Sequence, residues 1–323
     1  MAKKIAVLGS INVDTTYHVQ RFPMPGETIS AGSKSSAPGG KGANQAVAAA
    51  RSGAKTWFIG MVGADNEGKF MREALQEDHI DTKLIGIDEL HGTGTALITL
   101  DAEGQNDIMV YGGANQAMTT EVLKNADAVF EEIDFLISQF ETPQAVTAEA
   151  FKQAKEHGVT TILNPAPAHE ILPELLQYTD VVIPNDSESF VLTGIKITDE
   201  DSMLKSAEWF KQQGAKNLLI TLGSKGVFYC TPHGHGMVPA FKVKAVDTTA
   251  AGDTFIGALA SQLDNDLSNV ADALVYAQRA SSLTVQKMGA MPSIPTGEEV
   301  KAALAESSRL TVCRNKKIGI RRF

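Results

Sequence analysis

Lys3-Lys4-Ile5-Ala6-Val7-Leu8-Gly9-Ser10-Ile11-Asn12-Val13-Asp14 is the stretch that decides the fold class. Residues 5–8 form an unbroken apolar run, whereas a strand with one wetted face alternates apolar and polar residues. Such a run is buried on both faces, as in a parallel sheet covered by helices. Residues 56–62, 135–139, 160–163, 181–184 and 218–222 read the same way. Amphipathic stretches lie between them; Val122, Ala126 and Val129 are spaced to share one helical face. The alternation predicts a doubly wound α/β body with a mostly parallel sheet flanked by helices, made of segments 1–12, 39–91 and 113–306.

Two stretches break that rhythm. Residues 13–38 are rich in Pro, Gly, Ser and Thr and lack a helical period. Residues 92–112 read as a hairpin: 95–100, a turn at Asp101-Ala102-Glu103-Gly104, then 107–111. Pairing of the two would give a small discontinuous β-sheet lid over the strand ends, where open α/β folds bind ligands. Beyond Val246 the pattern is helical: a helix opened by Gly252-Asp253, a second over about 267–285 and a third over roughly 297–306.

The 323 residues carry a net charge of −9, and the composition (43% hydrophobic, 21% charged) is that of a globular chain. Arg309, Arg314, Lys316, Lys317, Arg321 and Arg322 all lie in 307–323, which holds no acid, so residues 1–306 carry −15. An acidic body argues against a nucleic-acid surface, which needs clustered Lys and Arg. The basic tail reads as a frayed or appended terminus and is assigned no function. Cys230 and Cys313 match neither a metal spacing nor a redox pair, which fits a reduced, cytoplasmic protein. No apolar run approaches the ~20 residues of a membrane helix, so neither membrane nor nucleic acid is an expected partner.

The chemistry concentrates in three runs. In Asp247-Thr248-Thr249-Ala250-Ala251-Gly252-Asp253-Thr254-Phe255, small residues precede a helix start. Backbone amides there can approach an anion, and the helix N-terminus adds partial positive charge. A carboxylate beside such a nest can take the proton of an attacking hydroxyl, the task of a kinase Asp. A free Asp titrates near ~3.9, so Asp253 is expected to be ionised at neutral pH. On its own the run stays open between an anion hole and a helix cap. Gly39-Gly40-Lys41-Gly42-Ala43-Asn44 is not a Walker A loop, since Gly42 follows Lys41, and Gly9 after the first strand has no dinucleotide-fingerprint continuation. Lys41 and Asn44 among the glycines read as polar recognition groups, with a structural turn before a helix as the alternative. Asn12 and Asp14 lie two apart, so an extended chain points both to one side, as paired sugar hydroxyls require; alone they also read as a turn-forming pair. Glu141, Asn185, Glu188 and Thr221 follow strand candidates and would share one sheet edge.

In order along the chain, Gly9-Ser10-Ile11-Asn12-Val13-Asp14, Gly39-Gly40-Lys41-Gly42-Ala43-Asn44, Asn164-Pro165-Ala166-Pro167, Asn185-x-x-Glu188, Thr221-Leu222-Gly223-Ser224-Lys225-Gly226 and Ala250-Ala251-Gly252-Asp253-Thr254 resemble the ribokinase family of carbohydrate kinases over residues 3–305. The resemblance implies phosphoryl transfer from ATP to the 5-hydroxyl of D-ribose. By that likeness Asn12, Asp14, Gly40, Lys41, Asn44 and Glu141 would hold the sugar, and Asp253 would activate the hydroxyl. Ala250, Ala251 and Gly252 would form the anion hole. Asn185, Thr221, Gly223, Ser224, Lys225, Gly226, Gly252 and Gln278 would serve the nucleotide, although Gln278 stands where relatives often carry Asn or His. Glu188 would organise Mg²⁺ through water. Asp247, Thr249, Thr284, Lys287, Gly289 and Ser293 would bind K⁺, partly through carbonyls. A homodimer through the lid sheet is also implied. The same likeness admits deoxyribose, fructose or a nucleoside as acceptor, or a non-catalytic sugar-binding regulator, which the intact Gly252-Asp253 speaks against.

Overall fold

The computed structural model describes residues 2–318, with side chains to Ser307. The strands in chain order are β1 (Lys4–Leu8), β2 (Asn12–His18), β3 (Ser33–Gly39), β4 (Lys55–Gly63), β5 (Asp81–Asp88), β6 (Gly94–Leu100), β7 (Asn106–Tyr111), β8 (Phe135–Ser138), β9 (Thr160–Leu163), β10 (Val181–Val182), β11 (Asn217–Thr221), β12 (Val227–Thr231) and β13 (Gly234–Val238). Nine of them form one sheet, ordered β13-β12-β11-β10-β9-β8-β1-β4-β5. From β5 through β11 every neighbouring pair is parallel; only the β11–β12 and β12–β13 pairs are antiparallel. Central strands are buried along their whole length, as the unbroken apolar runs require.

Side chains of β1 alternate between two cores. Ile5 and Val7 enter the core shared with helices Lys41–Arg51, Ala251–Gln262 and Val270–Thr284. Ala6 and Leu8 enter the other, with Phe151 and Phe210 from helices Gln144–Glu156 and Glu200–Gln212. Both sheet faces are therefore covered, and the loops at the strand ends remain free to carry chemistry.

The second sheet has four strands in the order β3-β2-β6-β7. β2 runs antiparallel to β3 and parallel to β6, and β6 pairs antiparallel with β7. The two irregular stretches thus meet in one sheet. Its pleat puts Asn12, Asp14, Thr16 and His18 on one face, with Ala37, Ala96 and Val110 in register with Asp14 or its neighbour.

Three expectations change. Val122, Ala126 and Val129 do share an apolar side, but on a 3₁₀ turn (Thr120–Leu123) and a short helix (Asp127–Phe130), not one helix. Apolar spacing demands burial of a face, and two separate turns supply it. The second C-terminal helix is Val270–Thr284, and the third runs on to Ile318, past residue 306. The side chains of Arg309, Cys313, Arg314, Lys316 and Lys317, and all of residues 319–323, lie outside the described residues. Among the described residues no helix is long and apolar enough to cross a membrane.

Candidate active site

A cleft of about 880 Å³ lies between the ends of the parallel strands and one face of the small sheet. Its floor is made by two helix N-termini. Gly40 caps the helix Lys41–Arg51 with φ of 93°, and a Cβ there would meet the Asn12 amide at 2.8 Å, so only glycine fits. Lys41, Asn44 and Gln45 stand at i, i+3 and i+4 of that helix and share one side. They face Asp253, which sits in the first turn of the helix Ala251–Gln262.

Asp253 is 8% exposed. Gln45 Nε2 donates to its Oδ1 at 3.0 Å and Asn44 Nδ2 to its Oδ2 at 3.2 Å. Burial pushes the carboxyl above the usual carboxylate range; Lys41 and the two amide donors pull it back, while the nearby Glu141 adds to the rise. The plain expectation of an ordinary Asp is corrected here: its ionised form depends on neighbours. Burial alone would lower the Lys41 ammonium, yet Asp253, Glu141 and Glu188 together raise it, so it stays charged. Burial first, then Glu141 and Asp253, push Asp14 up to about 6.

The loop before Asp253 is built to expose amides. Ala250 adopts a left-handed conformation (φ 59°), unusual for a residue with a Cβ. Ala251 N donates to Thr248 O (3.2 Å) and Thr254 N to Ala250 O (2.8 Å). The Gly252 and Asp253 amides between them have no partner among the described residues. Two unpaired N–H groups at a helix N-terminus beside a buried carboxylate suit an anion that gains charge during reaction.

Most expected residues converge. Asn12, Asp14, Gly40, Lys41, Asn44 and Glu141 line the cleft, as do Asn185, Glu188 and Thr221. Asp247, Thr249, Ala250, Ala251, Gly252, Asp253 and Gly289 line it too. Glu141 Oε2 accepts from Ser10 Oγ (2.5 Å) and Lys41 N (3.2 Å). Glu188 closes a capping box with Asn185, which holds both at the helix start Asp186–Thr193. Burial raises the Glu188 carboxyl, opposed by the Asn185 amide and Lys41.

Others stand apart. Gly223, Ser224 and Lys225 form a 3₁₀ turn that, with Gly226, joins β11 to β12, and only Thr221 of that run reaches the cleft wall. Gln278 is buried in the helix Val270–Thr284, away from the lining. Thr284 and Ser293 are fully buried outside the lining, and Lys287 Nζ turns to Glu299 (3.2 Å). Asp247 ties the two loops together, accepting from Thr249 N and Oγ1 (2.9 and 2.7 Å) and from Gly289 N (2.9 Å). The main-chain carbonyls of Asp247, Thr249, Lys287 and Gly289 accept no hydrogen bond among the described residues. Unpaired hard oxygens of this kind fit a monovalent cation. No cluster of three or more His, Cys, Asp or Glu able to hold a metal occurs among the described residues, so a divalent ion here would depend on Glu188, water and phosphate oxygens.

The sequence reading missed four side chains that hold the site: Ser10 on Glu141, Gln45 and Asn164 behind Asp253, and Asn115. Asn115 Nδ2 donates to Asn12 Oδ1 (2.8 Å) and Ile11 O, and its Oδ1 accepts from Ile11 N. Ser10 and Asn164 stand inside runs that resemble the family but carry no assigned role there, Gln45 had its i+4 spacing from Lys41, and Asn115 had no signal.

Residues 2–297 match the family described as pfkB family carbohydrate kinase. The chain belongs to that family. It is 48% identical over 301 residues to the ribokinase of Staphylococcus aureus, covering 93% of this chain and 99% of that one. It is 52% identical over 302 residues to the bifunctional ribokinase/ribose-5-phosphate isomerase A of Fructilactobacillus sanfranciscensis, covering 92% of this chain but spanning only 55% of that longer protein. Among solved structures, Arabidopsis thaliana ribokinase complexed with ribose and ATP superposes with a TM-score of 0.89 at 32% identity, over 94% of this chain and 99% of that one. As a pfkB-family member the chain is a carbohydrate kinase, and the buried carboxylate beside free amides is the part of its fold suited to phosphoryl transfer.

Proposed function

We propose that this chain transfers the γ-phosphoryl group of ATP to the 5-hydroxyl of D-ribose, giving ribose 5-phosphate. The observation that carries the reading is the Asp253 carboxylate, buried and doubly hydrogen-bonded, next to the unpaired Gly252 and Asp253 amides. Support also comes from the ribokinase names of the relatives and from the ribose and ATP of the Arabidopsis complex. Asn12, Asp14, Lys41, Asn44 and Glu141 bind and orient the sugar hydroxyls. Asp253 accepts the proton of the attacking hydroxyl while the Gly252 and Asp253 amides and Lys41 receive the charge of the transferring group. Asn185 and Thr221 flank the nucleotide. The β2-β3-β6-β7 sheet acts as a lid that excludes water, the competing acceptor. Glu188 would organise Mg²⁺ through water, and the ion would neutralise charge at the phosphates. The carbonyls of Asp247, Thr249, Lys287 and Gly289 would hold K⁺, which would add a positive field beside the anion hole.

One set of rates tests substrate and cation together: kcat/KM for ribose, deoxyribose, fructose and a nucleoside, in KCl and in a tetramethylammonium salt. Ribose is expected to lead and to depend on K⁺. A better acceptor overturns the substrate, and equal rates in both salts overturn the cation site.

Ribose binding should weaken in acid. Asp14 is pushed up to about 6, so as pH falls through that value it gains a proton and loses acceptor capacity for sugar hydroxyls. Between about pH 7.5 and about pH 5 the ribose KM is expected to rise about tenfold. A KM that stays flat over that range would remove the Asp14 carboxylate from sugar binding.

All six residues of β7 are exposed, and Ile108, Met109, Val110 and Tyr111 are each more than half exposed. An apolar strand at a lid edge needs a cover, and a second copy of the lid supplies it. The homodimer predicts twice the chain mass in sedimentation, reduced to a monomer by Met109→Asp with Ile108→Asp; a monomeric wild type would sink it. A cytoplasmic location completes the proposal, tested by cell fractionation.

A further inference from the structure

Gln45 and Gln139 are both fully buried, and neither lines the cleft. Gln139 Nε2 donates to Gln45 Oε1 at 2.7 Å. Gln45 Nε2 donates to Asp253 Oδ1 at 3.0 Å and to Asn164 Oδ1 at 3.2 Å. The order has a direction. Both N–H groups of Gln45 are committed to acceptors, so its carbonyl must face away, and Gln139 brings the donor that meets it. With the Gln139 amide reversed, two carbonyl oxygens would oppose each other, and Gln45 would relieve the clash only by turning its own oxygen toward the Asp253 carboxylate.

The direction is kept at a local expense. Gln139 Oε1 is buried with no partner, an arrangement folded proteins rarely keep. Gly9 leaves the room for it, since a Cβ there would lie 2.2 Å from that oxygen. Nothing at Gln139 itself repays an orphaned carbonyl; the return lies one hydrogen bond further on, at Asp253.

We propose that Gln45 and Gln139 are positioning residues for the phosphoryl transfer proposed above, a one-way pair of amides that holds the Asp253 carboxylate in place and ionised. The inference rests on the reading of Asp253 as the base. Lys41, Glu141, Asp14 and Glu188 also act on this carboxylate, and Asn44 donates to its other oxygen; all of them remain in the variants below.

The test is kcat at saturating ribose and ATP, followed against pH, for wild type, Gln45→Met, Gln139→Met and the double variant. Gln45→Met removes a donor to the charged carboxylate, so the acid limb is expected to move toward alkali by on the order of one pH unit. Gln139→Met, which touches nothing on Asp253, moves it the same way by less, and ribose KM changes less than kcat in both. In the Gln45→Met background Gln139→Met adds no further shift, because its effect passes through Gln45. An unmoved limb in Gln139→Met, or an equal added shift in the double variant, overturns the proposal. A role in packing alone lowers Tm and depresses rate equally at every pH. Should Gln139→Met not fold, Gln139→Asn, which keeps the amide but withdraws it by one methylene, must shift the limb instead; no shift there counts equally against it. An Asp253→Asn variant with wild-type activity would refute the reading of the site itself. An inactive Asp253→Asn together with an unmoved Gln139 limb refutes only the relay.

Discussion

Asp253→Asn is expected to lower kcat by roughly 10²–10⁴-fold, the range supplied by a positioned base, with Tm at or above that of the wild type. The two expectations have one cause. Burial raises the Asp253 carboxyl, and a group whose folded pKa is raised loses stability as pH climbs through that pKa, so at neutral pH the ionised form costs folding free energy. An amide of the same shape removes that cost. It also finds partners: its oxygen accepts from Gln45, and its nitrogen donates to Asn44 Oδ1 once that side-chain amide turns over, since in the wild type Asn44 Nδ2 faces Asp253 Oδ2 and Oδ1 is buried without a partner. Lys41 keeps Glu141 and Glu188. The variant is therefore expected to fold and to keep the proposed sugar contacts of Asn12, Asp14 and Glu141, and what it lacks is a proton acceptor. Kinetics and a thermal melt decide the matter: an unchanged kcat removes Asp253 from the chemistry, and a collapsed Tm makes it structural.

What the sequence made legible was local. The apolar run in β1, the hairpin of β6 and β7, and the small-residue elbow before Asp253 each carry their signal within about twenty residues. What it hid depends on distant partners. β5 lies at a sheet edge, and its Leu84-Ile85-Gly86-Ile87 run is short and only partly buried. β2 pairs in parallel with β6 across 82 residues, Asn12 against Gly94, a register no local pattern specifies. The same holds for the amides. Gln45 meets Asp253 across 208 residues, Asn115 meets Asn12 across 103, and Ser10 meets Glu141 across 131. A buried Gln or Asn reads in sequence like any polar residue; only the fold shows what it satisfies. Asp253 shows the same gap in energetic form, because its position was legible and its burial was not.

Gly252→Ala separates the anion hole from the fold, and it should raise stability while lowering activity. Gly252 lies inside the helix Ala251–Gln262, where alanine is preferred over glycine by roughly 0.5–1 kcal/mol. A Cβ built on it meets nothing within 4 Å, so no packing reason demands glycine. The open space it would enter is the cleft, since Gly252 is exposed on the cleft wall. There the new methyl stands beside the unpaired Gly252 and Asp253 amides and holds a phosphoryl group away from them. Losing one such donor costs about 10²–10³-fold in kcat, and that loss is the expectation here. Ribose KM should change little, because the proposed sugar-binding residues lie on β2 and on the helix Lys41–Arg51. A variant that melts higher yet phosphorylates ribose at the wild-type rate would mean that the bare amides serve only to start the helix, and the charge on the transferring group would then have to be met by Lys41 alone.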